Sequence, residues 1–170
     1  RRALVRIAAR DLASAEPTAI VDDIAGELAD LADATVIAGL ALARAEVDDW
    51  QRARVAVIAL GKTGAGELNY ISDVDVLYIA EPAEEDGVPL ATPAEAIAIA
   101  SRLVGVLSRI TSAHTACGTI WQLDANLRPE GKHGPLVRSL ASHAAYYEKW
   151  AKNWEFQAML KARPMAGDRA

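Results

Sequence analysis

Cysteine occurs only once in the 170 residues, at Cys117. That excludes an internal disulfide and fits a reducing, cytoplasmic setting. The chain also lacks any Lys/Arg-dense run, and its net charge is −5. A nucleic-acid backbone calls for a basic groove, so nucleic acid is not expected as a partner. No stretch approaches the ~18 consecutive apolar residues of a membrane span, and no signal peptide is present. Repeats and low-complexity tracts are missing as well. His114, His133 and His143 have neither metal-ligand spacing nor a partnering cysteine, so they read as ordinary helix or loop histidines. The first residue is Arg1 rather than methionine, and the chain reads as one domain-sized piece of a longer protein.

What is present starts with an alanine-rich, charged segment over residues 1–50, which reads as helix. One helix is expected at about 3–15. Glu16-Pro17-Thr18 breaks it, and a second runs over about 19–48 with Ile20, Ile24, Leu28, Leu31, Thr35 and Leu42 near one stripe. Gly26 and Gly39 argue against one unbroken rod. Residues 54–60 and 74–80 are β-branched-rich and predict strands. Residues 81–91 predict a solvent loop. Thr92-Pro93-Ala94-Glu95 is a capping box that opens a helix to about Thr111, with Ile99, Leu103, Leu107 and Ile110 facing the core. A third strand is expected over 118–127, with Asp124, Asn126 and Arg128 on one face. A loop at 129–134 and two helices, over 140–152 and 153–163, complete the chain. Trp150 and Trp154, four residues apart, are expected as core anchors. The fold class is α+β: a small mixed or antiparallel sheet covered by helices on one face, preceded by a helical segment.

The chemistry concentrates between residues 61 and 79. A glycine-rich turn with Gly61, Gly64 and Gly66 follows the first strand, and Asp73 and Asp75 open the second. Side chains two apart on a strand share a face, so these carboxylates stand roughly 6.5–7 Å apart along the backbone. They repel unless a cation sits between them, and a small hard cation takes oxygen ligands of this kind. Glycine backbone can approach phosphate closely. Taken alone, an Asp-x-Asp pair also occurs as a turn or cap, and glycines also serve only backbone conformation. Lys62, Arg128, Lys161 and Arg163 are candidate phosphate ligands; each can equally be a surface cation or an ion-pair partner. Ser72 either binds phosphate or steadies the turn. Glu67 and Asn69 either orient ligands or cap the short helix.

The run Gly61-Lys-Thr-Gly-Ala-Gly-Glu-Leu-Asn-Tyr-Ile-Ser-Asp73-Val-Asp75 resembles the signature of the glutamine synthetase adenylyltransferase/adenylyl-removing enzymes. These are members of the DNA polymerase β-like nucleotidyltransferase superfamily. Asp124-Ala-Asn-Leu-Arg128-Pro-Glu-Gly131 and Trp154-Glu-Phe-Gln-Ala-Met-Leu-Lys161-Ala-Arg163 resemble two further blocks of that family, in the same order. The resemblance covers about residues 55–168. It implies a nucleotidyltransferase palm over 51–170 with the helical segment 1–50 packed on it. It also implies Mg²⁺ or Mn²⁺ held by Asp73, Asp75 and Asp124, the third carboxylate being placed beside the pair by the resemblance and its polar face.

The family usually shows two glycines at positions 64–65, whereas this chain has Ala65; if a positive φ is needed there, Gly66 should supply it. The implied partners are glutamine synthetase as protein substrate, ATP or ADP, phosphate, and a PII-type signalling protein acting through the parent protein. The Glu-Leu-Asn-Tyr wording and the Arg-Pro-Glu-Gly loop look more like the adenylyl-removing half than the adenylylating half. A nucleotide-binding regulatory domain and a small-molecule nucleotidyltransferase are the other readings. The first does not need all three aspartates, and the second lacks the later two blocks.

Overall fold

The computed structural model describes residues 1–116 and 118–168; Cys117, and the expectation attached to it, lies outside the described residues with Arg169 and Ala170. Two helices come first, α1 (Arg2–Ala13) and α2 (Pro17–Glu46). Strand β1 (Ala53–Ala59) leads through the one-turn helix α3 (Gly61–Ala65) to β2 (Val74–Pro82). A hairpin, β3 (Glu84–Glu85) and β4 (Val88–Pro89), precedes the long helix α4 (Pro93–Ser112). Then come β5 (Leu123–Asp124), β6 (Val137–Arg138), α5 (Leu140–Lys149), α6 (Asn153–Met159) and β7 (Arg163–Gly167).

β1 and β2 pair antiparallel, from Ala53↔Pro82 to Ala59↔Val76. β7 adds antiparallel to the other side of β1, and β5 and β6 lie parallel to β2 on its far edge. Strand alternation then sorts the sheet. Ala53, Val55, Val57 and Ala59 of β1, and Val74, Val76, Tyr78 and Ala80 of β2, are buried against α2 and α4. Ile7 of α1 and Ile24, Leu28 and Val36 of α2 belong to the same core, so the helical segment and the sheet share one interior. The other face of β2 carries Asp75, Ile79 and Glu81. The α+β palm-like architecture expected from the sequence is what the chain adopts.

α2 is one unbroken helix despite its glycines. A Cβ on Gly39 would lie 2.6 Å from Leu107 Cδ1, so this glycine leaves room for α4 against α2. The buried stripe of α2 runs Ile24, Leu28, Ala32, Val36, Leu40, Ala43, and Leu42 is exposed instead. Alanines hold positions that a search for large apolar residues passes over. The capping box at Thr92 forms as expected: its hydroxyl accepts from Glu95 N, and Glu95 Oε2 accepts from Thr92 N at 2.8 Å. Thr92→Ala should cost about 1 kcal/mol and lower the melting temperature by roughly 2–4 °C, as read by calorimetry. On α4, Ile99, Leu103 and Leu107 are core as expected, while Ile110 is half-buried and Thr111 takes the inner position.

Four expectations are corrected. The third strand is two residues long, not ten, because β6 takes the edge of β2 at Tyr78 and Ile79. Asp124 then turns the chain outward, its Oδ1 accepting from Asn126 N at 2.7 Å. The last helix stops at Met159: Pro164 cannot continue it and pushes Arg163 into extended backbone, so 163–167 become the edge strand β7. Within the expected solvent loop, Asp86 and Gly87 both have positive φ and form the tight turn of a hairpin. Trp150 and Trp154 are 74% and 52% exposed, not core anchors; α6 turns Glu155 inward, where it accepts from Tyr146 Oη at 2.7 Å.

Candidate functional site

The site forms where β1 hands over to β2. Leu60 N donates to Asp75 O at 2.9 Å, which carries the ladder one residue past β1. Gly61 follows with φ of +52°, and a Cβ there would stand 2.5 Å from Asp75 Oδ2. The glycine is what allows the backbone to lie against that carboxylate. Gly64 is needed for a different reason: its Cβ would sit 2.1 Å from Lys161 O. Gly66 closes α3 in the left-handed region with φ of +72°, the role expected of it beside Ala65.

Asp73 stands exposed just before β2, and Asp75 is half-buried on it. Asp124 is in register with Asp75 on the neighbouring parallel strand, so the two carboxylates share a face. Burial pushes the Asp75 carboxyl above its ordinary range, and the nearby Asp124 and Asp73 charges push it further. The Lys62 ammonium pulls the other way. Three acids therefore meet on one face with a single lysine offsetting them at Asp75. Their side chains do not converge on one point: among the described residues, no three acidic, histidine or cysteine groups are arranged to hold a metal ion.

Of the candidate cations, Lys62 alone lies on this face, its Nζ 3.3 Å from Ser72 Oγ. Arg128 leaves the expected strand face; its Nε donates to Gly134 O at 3.1 Å and its Nη1 to Ala125 O at 2.8 Å. Lys161 pairs with Glu67 at 2.7 Å. Arg163 donates to both Asp33 oxygens and, at 3.1 Å, to Thr63 O. The last two thus fasten the start of β7 to α2 and α3.

The profile of the family described as glutamate-ammonia ligase adenylyltransferase matches residues 1–170. The chain belongs to that family. A protein from Cutibacterium acnes named bifunctional glutamine synthetase adenylyltransferase/adenylyl-removing enzyme is 61% identical over 168 residues. Proteins of the same name from Streptomyces coelicolor and Mycolicibacterium smegmatis are 56% and 47% identical. Each alignment covers 99% of this chain, and 17%, 16% and 16% of the respective relative. The chain thus spans about a sixth of the length of the curated relatives it matches.

The family's three blocks meet in space. Lys161 O, from the third, presses on Gly64 of the first, and Asp124, from the second, lines up with Asp75. Two features escaped the sequence reading. Tyr70 Oη donates to Asp11 Oδ2 at 2.8 Å, tying the loop before Asp73 to α1. Arg138 is in register with Ile79, hence on the carboxylate face, where it bonds Ser142 Oγ at 3.1 Å and Glu130. Neither had a local signal, because both depend on pairing distant segments. A groove of about 840 Å³ lies elsewhere: Ala56, Ile58, Ile79, Leu140 and Pro164 are among its lining residues, and Asp73, Asp75 and Asp124 are not. Its walls are mainly apolar, with Arg44, Arg54, Glu81 and Asp168 also on them.

Proposed function

We propose that this domain removes AMP from an adenylylated tyrosine of glutamine synthetase by phosphorolysis, releasing ADP. The observation that carries the reading is the register of Asp75 with Asp124, two residues beyond Asp73 and beside the glycine turn and Lys62. In this reading Asp73, Asp75 and Asp124 hold Mg²⁺ or Mn²⁺. An all-oxygen donor set, with an Asp75 carboxyl pushed up by burial and then by its acidic neighbours, suits a hard divalent cation. When bound, the cation neutralises charge on the phosphate oxygens.

A phosphate oxygen forms a bond to the phosphorus of the tyrosyl adenylate, and the bond from that phosphorus to the tyrosine oxygen breaks. The electron pair leaves on the phenolate, and the proton of hydrogen phosphate ends on the phenol. Phenol has a pKa of about 10, so it leaves readily once its charge is offset. Phosphate arrives already anionic, which removes the need for a strong general base. Lys62, the cation whose charge acts on Asp75, meets the phosphate; Arg128 keeps its loop in place and offers its remaining guanidinium nitrogen. Lys161 and Arg163 act by fixing α3. The glycine turn brings backbone near the nucleotide phosphates. A PII-type protein regulates the parent protein in this account.

The opposite direction, AMP transfer from ATP to the tyrosine, uses the same face, and the names of the family and its relatives include adenylyltransferase. The Glu67-Leu68-Asn69-Tyr70 wording favours removal. Incubation with adenylylated glutamine synthetase and Mg²⁺ should release ADP only when phosphate is added. Label transfer from ATP to unmodified glutamine synthetase, without phosphate-dependent ADP release, would reverse the assignment.

A further inference from the structure

The loop joining α3 to β2 is held at three places. Leu68 is buried at 1% exposure, Tyr70 is tied to Asp11 of α1, and Val74 begins the buried register of β2. Between them, Asn69 Oδ1 accepts from Ile71 N at 3.1 Å and from Ser72 Oγ at 2.8 Å. A backbone N–H can only donate, so the Asn69 oxygen faces the loop. A serine hydroxyl has one proton. Here Asn69 takes it, and the hydroxyl is left with lone pairs to offer. Lys62 Nζ, which can only donate, takes one of those at 3.3 Å. The polarity of the chain is therefore fixed: Lys62 to Ser72 to Asn69.

We propose that Asn69 is a positioning residue that acts through the Ser72 hydroxyl to hold the Lys62 ammonium over the carboxylate face, ready for a phosphate oxygen. This rests on the functional reading given above for the role of Lys62. An ammonium has three N–H groups, and the relay uses one, leaving two for the ligand. The lysine stem is flexible and loses rotamer freedom when fixed, so holding it in advance lowers the cost of binding. Lys62 is also the cation that offsets the acids at Asp75, which places its charge where the transferred group must sit. The relay assigns Ser72 to the lysine and not to the phosphate: its proton is already spent.

Two readouts test this in the protein. The first is the Lys62 ammonium signal by nitrogen-15 NMR, without metal, phosphate or turnover. It should be restrained in the wild type and mobile in Asn69→Ala and Ser72→Ala. The second is calorimetric affinity for inorganic phosphate with Mg²⁺ saturating. Each variant should lose about tenfold, and the double variant no more than either alone, because one relay is broken in all three. Asn69→Asp keeps the acceptor oxygen and should recover most of the affinity. Mn²⁺ affinity should stay at the wild-type value throughout. An ammonium signal that is unchanged by Asn69→Ala, with only melting temperature lowered, would overturn the relay and leave Asn69 a turn residue. A relay seen by NMR in a protein that binds no phosphate would instead sink the functional reading while the positioning stands.

Discussion

Asp75→Asn should lower turnover by about a thousandfold or more, while the metal-free domain melts at a higher temperature than wild type. A bound divalent cation contributes several kcal/mol of charge stabilisation in the transition state, and each 1.36 kcal/mol is tenfold in rate. The stability gain follows from the carboxyl's own environment. Burial, then Asp124 and Asp73, raise its folded-state pKa above the ordinary 3.8. For such an acid, stability is fully present below the unfolded value and declines as pH rises through the folded one. At neutral pH the ionised Asp75 therefore works against folding, and asparagine removes that cost. Melting curves at pH 4 and pH 7.5 without metal should converge at the acid end and separate at neutral pH. Mg²⁺ should stabilise the wild type and leave the variant nearly unmoved, since only a cation that binds the folded state shifts its melting. A metal-free variant that melts below wild type at pH 7.5 would contradict this picture of the site.

Gly64→Ala should destabilise the domain heavily. The new Cβ would sit 2.1 Å from Lys161 O and 2.9 Å from Ala59 O. Both are backbone atoms, so no side chain can swing aside. Relief requires moving α3 off the segment that leads into β7, which breaks the Arg163 bond to Thr63 O as well. Overpacking of this kind costs about 3 kcal/mol, or roughly 6–12 °C in melting temperature for a domain of this size. Gly66→Ala is the control: no atom lies within 4 Å of its Cβ, and only the positive φ resists it, so about 1 kcal/mol is expected. Differential scanning calorimetry on the two variants separates close approach from backbone conformation; equal losses would show that the Lys161 contact does not matter.

The parts of this fold that announce themselves locally were legible in the sequence. The capping box of Thr92 and Glu95, the β-branched strands β1 and β2, and the left-handed close at Gly66 each depend on neighbours in the chain. Asp75 lies on β2 as strand alternation requires, Asp73 stands one residue before it, and the register of Asp75 with Asp124 agrees with the face assigned to the third acid. What was missed depends on contests between distant segments. β5 was overextended because nothing local says that Val137 and Arg138 will claim the edge of β2. Of β7, the expected helix reaches only Arg163, and Pro164 is the local signal that the chain turns extended there. Arg163 and Lys161 look like phosphate ligands in sequence, but Asp33 and Glu67, far away in the chain, engage them. The four-residue spacing of Trp150 and Trp154 points to the core, yet both are exposed, and among the described residues the buried tryptophan is Trp121. Asn69 was ambiguous until its oxygen could be seen accepting from both Ile71 and Ser72.

In the proposed reading, Asp73, Asp75 and Asp124 together form one divalent-cation site. Calorimetric titration of Mn²⁺ into the protein, with and without ADP, tests it most directly. The account requires saturable binding to the wild type that ADP strengthens, and loss of that binding in Asp73→Asn, Asp75→Asn and Asp124→Asn alike. Binding that survives unchanged in Asp124→Asn would contradict the account, because the third carboxylate would then be no part of the site.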